Sequence, residues 1–157
     1  MSASTARHIV EEWFAAFNSG DVEILDAIHD AACRNHAPGP FDLSPWPAEG
    51  KPFGPRDAAD TITWLRTNQP DLHVEIEHLL VDDDQVVAWI RSTGTPTGAG
   101  PIPPTDRPID FCQAHRFRLR DGKVVEHWAV RDDLRSMLQA GAIAPPLAPT
   151  AQDGDAS

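Results

Sequence analysis

Residues 111–138 carry the side chains best suited to chemistry, arranged as two alternating stretches around a tight turn. The dipeptide Asp121-Gly122 joins the stretches, and Asp-Gly is typical of a two-residue hairpin turn because both central positions need positive φ. Such a turn predicts that Leu119 lies opposite Val124 and that His115 lies opposite Trp128. The two strands would then share one face.

This predicted face combines apolar and aromatic residues with one histidine and two carboxylates. It comprises Phe111, Gln113, His115, Phe117, Leu119, Val124, Glu126, Trp128, Val130 and Asp132, and the opposite face comprises Arg116, Arg118, Val125, His127 and Arg131. An apolar wall with a few polar groups is typical of a ligand pocket. A register slip of one residue would exchange the faces.

Asp132 is the candidate catalytic base. Among Trp128, Phe117 and Val130 its carboxylate would be poorly solvated, and it would therefore remove a proton from an activated carbon more readily. The alternative is that Asp132 only caps the final helix, a common role for aspartate. Asp133 can supply that cap, so both roles can be filled.

Other candidates have equally plain structural alternatives. His115 orients Asp132 or polarises a carbonyl, or it is a buried structural histidine; His36 lines the pocket or simply starts the following loop. Arg91 and Glu126 either contact the substrate, with Arg91 holding its carboxyl group, or pair with each other. Trp128, Phe117, Trp13 and Phe17 are candidate substrate contacts, although aromatic residues at such spacings are more often core. The histidines lack the HxH or HExxH spacing of a metal site, so we expect neither a metal nor another cofactor.

The composition restricts the class of partner. A formal charge of −11 argues against nucleic acid and anionic membranes, since both require a basic face. No apolar run has the length of a membrane span, and the first residues are amphipathic rather than leader-like. We expect a cytoplasmic protein that takes a small apolar or aromatic substrate.

The order of elements predicts an α+β domain over residues 1–143. Two helices, a short strand and a third helix precede four long strands, which favours a curved antiparallel sheet wrapped around three N-terminal helices, with a pocket inside the cone. Pro/Gly-rich loops are expected at residues 37–54 and 96–108, and long loops of this kind are often lids. Residues 144–157 have no packing signal and are expected to be a disordered Pro-rich tail.

Several segments, in order, resemble the SnoaL-like polyketide cyclases, a family of the nuclear-transport-factor-two-like group of cone-shaped α+β folds. They are NH at 35–36, GPRDAADTITWLRTNQPDLHVEIE at 54–77, DDQVVAWIRSTGTPTG at 83–98, PPTDRPID at 103–110, and HRFRLRDGK through RDGKVVEHWAVRDDL and LQAGAI at 115–143. The resemblance implies an aspartate that acts as acid/base in the aldol ring closure of a polyketide ester. It places that role on Asp132, matches His115 and His36 to family histidines, and implies a possible homodimer through the outer sheet face.

Two positions depart from the family pattern. Pro96 stands where the family's Gly-Thr-His-Thr-Gly stretch has histidine, and Asp106 stands where its Pro-Thr-Gly-Arg turn has glycine. The chain also lacks tyrosine, which disfavours the tyrosine-dependent isomerases, dehydratases and epoxide hydrolases of this fold. The predicted function is an aspartate-catalysed proton transfer next to a carbonyl. The alternative is a non-catalytic module that binds a small ligand or serves as a dimer scaffold.

Overall fold

The computed structural model describes residues 1–39 and 45–144. Within these ranges the helices are α1 (Ala3–Ser19), α2 (Leu25–Ile28), α3 (Pro55–Asn68) and α4 (Asp133–Ala140). The strands there are β1 (His29–Asn35), β2 (Lys51–Pro52), β3 (His73–Asp82), β4 (Gln85–Gly94), β5 (Ile109–Arg120) and β6 (Lys123–Arg131). The predicted order of elements is confirmed, with the two-residue β2 as an addition.

Across the described residues the strands form one curved, unclosed sheet in the order β2-β1-β6-β5-β4-β3. This confirms the α+β class. The sheet is mixed rather than wholly antiparallel, because β1 runs parallel to its neighbour β6. Helix α1 packs across β3 and β4, so the concave side of the sheet is its inner face.

Helix α1 supplies much of the core. The Ser2 hydroxyl oxygen caps it by accepting the N–H of Thr5 at 3.1 Å. Helix α1 ends at Gly20, whose φ of 76° is left-handed. Its apolar stripe, including Val10, Trp13 and Phe14, is buried against the inner face of the sheet.

The β5–β6 hairpin begins in the predicted register and then departs from it. Asp121 and Gly122 both have positive φ, and Leu119 pairs with Val124 as expected. The register then shifts, so that Arg118 pairs with Glu126 and His115 pairs with Ala129 instead of Trp128. One extra residue on one strand of an antiparallel pair is a β-bulge, and it reverses the face of every later side chain.

Because of the bulge, the predicted pocket face is correct for β5 and wrong for most of β6. His127, Ala129 and Arg131 point to the inner face, where they line a cavity. Glu126, Trp128, Val130 and Asp132 were predicted to point there and do not line it.

The predicted tail, residues 144–157, falls almost entirely outside the described residues. Its residues 145–157 lie outside the described residues, as do residues 40–44 of the first predicted loop. The domain boundary at residue 143 therefore stays a prediction.

Candidate functional site

A cavity of about 360 Å³ lies between the inner face of the sheet and helices α1 and α3. Its wall is mostly apolar and includes Trp13, Phe14, Phe17, Leu65, Ile90 and Phe111. Residues of both predicted loops, Pro38 and Ile102 among them, also line it. The volume is in the range that holds a small organic ligand.

Four polar side chains form a hydrogen-bonded row along one wall of the cavity. The side-chain amide of Gln113 lies 3.1 Å from His115 Nε2, and His115 Nδ1 lies 2.9 Å from His127 Nε2. His127 Nδ1 lies 3.1 Å from the side-chain oxygen of Asn35, which also accepts the N–H of Ala37 at 3.0 Å. We call Gln113, His115, His127 and Asn35 the polar array.

The two imidazoles of the array are buried among aromatic rings. Trp13 lies with its ring centroid 5.3 Å from that of His127 and 6.0 Å from that of His115. Burial, together with the nearby Arg131 cation, lowers the pKa of His115 to about 3. Burial also holds the pKa of His127 well below its ordinary value. Both rings are therefore neutral at pH 7.

A second polar group lies where β6 meets α4. Arg131 Nε donates to Asp133 Oδ1 and Arg131 Nη2 donates to Asp133 Oδ2, both at 3.3 Å. The same Nη2 donates to the carbonyl oxygen of Pro38 at 2.8 Å, which ties the pair to the first loop. Both side chains line the cavity, and 39% of the Asp133 side chain is exposed.

Asp132 is the N-cap of α4, a role that the sequence predicted for Asp133. It is exposed and does not line the cavity, and its Oδ1 accepts the N–H of Arg135 at 3.0 Å as the N-cap of α4. Asp133, expected to be the cap, lines the cavity instead. The expected placement of Asp132 in the pocket wall is therefore wrong.

His36, Glu126 and Trp128 lie on the other side of the sheet. His36 Nε2 is 2.9 Å from Glu126 Oε2, and the His36 ring stacks on Trp128 with centroids 4.4 Å apart and planes 7° from parallel. Arg118 pairs with the second Glu126 oxygen, and Arg116 Cζ lies 4.3 Å from the Trp128 centroid. This is a packed outer-face cluster, separated from the cavity by the sheet.

The remaining candidates divide between cavity, core and surface. Trp13 and Phe17 line the cavity as proposed. Phe117 is fully buried beneath it, 5.1 Å from Trp13 between ring centroids, and belongs to the core. Arg91 pairs with Asp110 at 2.8 Å rather than with Glu126, and it does not line the cavity.

Of the sequence candidates, the structure brings His115, Trp13 and Phe17 to the cavity and leaves the others elsewhere. It adds His127, Asn35, Arg131 and Asp133, none of which the sequence assigned to the site. A signal existed for Asp133, since two adjacent aspartates stand at the start of α4 and only one of them can be its N-cap. His127 had no such signal, because the bulge that turns it inward leaves no mark in the alternation.

Two further features concern membrane-spanning helices and metal sites. Among the described residues, no helix combines the length and apolar character needed to cross a membrane. Over the same part of the chain, no group of three or more His, Cys, Asp or Glu side chains is placed to hold a metal ion.

Solved structures share this architecture. IdmH from Streptomyces antibioticus, provisionally named a polyketide cyclase, is 26% identical and matches 87% of this chain and 98% of its own with a TM-score of 0.73. A protein of Bacillus cereus ATCC 10987 with the same provisional name is 27% identical over 90% of this chain and 84% of its own, with a TM-score of 0.73. AclR from Streptomyces galilaeus, provisionally named a hydroxylase, is 21% identical over 93% and 87%, with a TM-score of 0.74, and shows the fold alone.

The fold and its internal cavity thus define a nuclear-transport-factor-two-like α+β protein. Residues 7–140 match the family of SnoaL-like polyketide cyclases, and the chain belongs to that family. Comparison with curated proteins gives no significant match.

Proposed function

We propose that this protein is a cofactor-independent enzyme that transfers a proton at a carbon next to a carbonyl. The reaction is the intramolecular aldol cyclisation of a polyketide ester or a related step. One observation carries the proposal: a carboxylate and a guanidinium, Asp133 and Arg131, lie side by side on the wall of an apolar cavity. Family membership supports the class of substrate.

Asp133 is the proposed base in place of Asp132. Its carboxylate is held in position by two N–H groups of Arg131, which fix its orientation. Asp133 takes a proton from a carbon flanked by two carbonyls. The resulting enolate carbon then attacks a different carbonyl group elsewhere in the same molecule. A C–C bond forms, the attacked oxygen becomes an alkoxide, and protonated Asp133 returns the proton to it.

Arg131 is the proposed partner of the developing enolate oxygen. Its Nε and Nη2 bind Asp133 and the Pro38 carbonyl, whereas Nη1 has no hydrogen-bond partner among the described residues. A free N–H of a cation on an apolar wall stabilises negative charge better than water does. Base and oxyanion donor would then be neighbours, two residues apart in the chain.

The test compares two adjacent aspartates. Asp133→Asn should slow deuterium uptake at the activated carbon of an aromatic β-keto ester in D₂O by at least about 100-fold, the usual contribution of a general base. Asp132→Asn is the matched control, because asparagine also caps helices and leaves the cavity unchanged. Exchange is followed by NMR above the rate without protein.

The outcomes separate three hypotheses. Loss of exchange in Asp132→Asn with retention in Asp133→Asn would return the base role to Asp132. Retention in both would contradict a carboxylate base at this end of the cavity. Saturable ligand binding by the unmodified protein, with no exchange above background, would favour the non-catalytic binding or scaffold module.

We also propose that the protein acts in the cytoplasm as a homodimer joined through the outer face of the sheet. That face has exposed apolar side chains on three of its strands: Leu80 on β3, Val87 and Trp89 on β4, and Val130 on β6, with β5 between β4 and β6. Contiguous apolar surface of this kind is typical of an interface.

A further inference from the structure

Gln113 is the end of the polar array that remains open to the cavity. It is half-buried and lines the cavity, and the end of its amide that lies 3.1 Å from His115 Nε2 is placed as Oε1. The other end has no hydrogen-bond partner in the described part of the chain. A side-chain amide has a donor end and an acceptor end of nearly the same shape, so hydrogen bonding decides which one a ligand meets.

The far end of the array fixes its direction. Asn35 Oδ1 accepts the backbone N–H of Ala37 at 3.0 Å, and the same oxygen faces His127 Nδ1 at 3.1 Å. Reversing the Asn35 amide would set its NH₂ group against the Ala37 N–H. Because the Asn35 atom must be oxygen, which only accepts, His127 Nδ1 must carry a proton.

The remaining protons follow from one N–H per neutral imidazole. His127 Nε2 is then an acceptor, so His115 Nδ1, 2.9 Å away, donates to it. His115 Nε2 is left without a proton and needs a donor. Among the described residues, the side chain placed to supply one is Gln113, through the NH₂ end of its amide.

The opposite amide orientation requires a buried cation. With oxygens at both ends, three contacts need three protons on four ring nitrogens, and one ring would be an imidazolium. Burial lowers the pKa of both rings, and Arg131, His29 and His36 add only unfavourable charge to His127. Within the array neither ring contacts a carboxylate that would compensate. The neutral arrangement therefore holds.

We infer that Gln113 presents its side-chain carbonyl oxygen to the cavity and selects a ligand with a hydroxyl group, a phenol, enol or alcohol, at that point. The inference rests on the proposed function in one respect: the ligand that carries this hydroxyl group is taken to be the carbonyl substrate. His115, His127 and Asn35 are positioning residues: they touch no ligand in this scheme and fix the orientation of Gln113.

The first test reads the protons directly. Nitrogen-15 NMR of histidine-labelled protein at pH 7 should show His115 and His127 both in the Nδ1–H form. An Nε2–H tautomer at either ring, or an imidazolium, would overturn the inference.

The second test reads the ligand preference. The probes are 2-naphthol and its methyl ether, 2-methoxynaphthalene, with Kd measured by titration. The unmodified protein should bind the naphthol about tenfold more tightly, the effect of one hydrogen bond in an apolar site. Gln113→Met should abolish the preference by weakening naphthol binding and leaving ether binding unchanged. Thr61→Val, a lining residue outside the array, is the control and should retain the preference.

Equal affinity for the two probes, binding of neither, or a preference that persists in Gln113→Met would each overturn the inference. These readouts are independent of turnover. If Asp133→Asn stays active, the catalytic proposal fails, but the tautomers and the naphthol preference are unaffected. If the naphthol preference is absent, the result of the exchange assay is likewise unaffected.

Discussion

Asp132 and Asp133 show how one residue step divides two roles. Asp132 follows the last residue of β6 and meets the free N–H groups at the start of α4, where a carboxylate is stabilised by a hydrogen bond and by the helix dipole. Asp133 is the first residue inside the helix, and its side chain turns back to Arg131. Both positions favour aspartate for local reasons, so residue type alone could not assign the base.

The buried histidines predict a loss of stability in mild acid. The unfolded chain takes up protons on histidine near pH 6.5, whereas burial lowers the pKa of His115 to about 3 and also lowers those of His127 and His29. Between these values the unfolded state binds more protons, so stability is full above pH 6.5 and falls as the pH falls. We expect the free energy of unfolding to drop by up to about 1.4 kcal/mol per pH unit for each such histidine.

Urea unfolding between pH 7 and pH 5.5 measures this slope, because most carboxylates stay ionised in that window. His115→Asn should make the slope shallower. His8→Gln is the matched control, since the His8 side chain is 71% exposed and should contribute little. An unchanged slope in His115→Asn would contradict a neutral buried ring.

At the scale of elements, the hairpin turn allows a clean measurement of backbone strain. Gly122 has a φ of 78°, and a Cβ built there meets no atom within 4 Å. Gly50 has a φ of 67°, but a Cβ there would lie 3.0 Å from Arg34 Cβ and 3.1 Å from the His36 ring. The two positions share left-handed backbone and differ in crowding.

Gly122→Ala should therefore cost about 1 kcal/mol, the strain of a left-handed alanine. Gly50→Ala should cost at least about 1 kcal/mol more, because the added methyl group also displaces the His36 ring from Trp128. Urea denaturation gives both values. Equal costs would contradict the packed arrangement of the outer-face cluster.

The same hairpin shows what could and could not be predicted from sequence. Asp121-Gly122 predicts the turn because few dipeptides adopt positive φ twice, and the first pairs follow from it. The bulge has no such signature: Val124 and Val125 are both buried, so the alternation continues equally well in either phase. After them, Glu126, Trp128 and Val130 look as suitable for a pocket wall as His127, Ala129 and Arg131.

The second loop was similarly half predictable. Its proline and glycine content predicts irregular backbone, but the contacts that shape the loop are long-range. Asn68, at the end of α3, donates to the carbonyl oxygens of Gly98 at 2.7 Å and Ile102 at 2.8 Å. The two departures from the family pattern also meet there. Asp106, with a φ of 56°, donates its N–H to the carbonyl oxygen of buried Pro96 at 3.1 Å. The two positions are separated in the chain but hydrogen-bonded in the fold, which local patterns cannot show.

At the scale of the whole molecule, the two faces of the sheet carry different kinds of side chains. The inner face holds the cavity and its polar groups, whereas cross-strand neighbours on the outer face form rows. Trp89 pairs with Ala114, which pairs with Val130, and Leu80 pairs with Val87 in the adjacent row. Of these side chains, Leu80 is 70% and Val130 is 64% exposed, and exposed apolar surface of this kind often marks an interaction site.

The proposed homodimer predicts that a charge in these rows separates the subunits. Val130→Lys places an ammonium group beside Ala114 and Trp89, where a second copy would have to desolvate it, so the dimer should dissociate to monomers at micromolar concentration. Leu134→Lys, another exposed apolar position but on α4, is the control and should leave the dimer intact. Sedimentation equilibrium measures both. Because Val130 faces away from the cavity, the monomeric variant should keep its preference for naphthol. A monomeric unmodified protein would contradict the homodimer, and a Val130→Lys dimer would place the interface elsewhere.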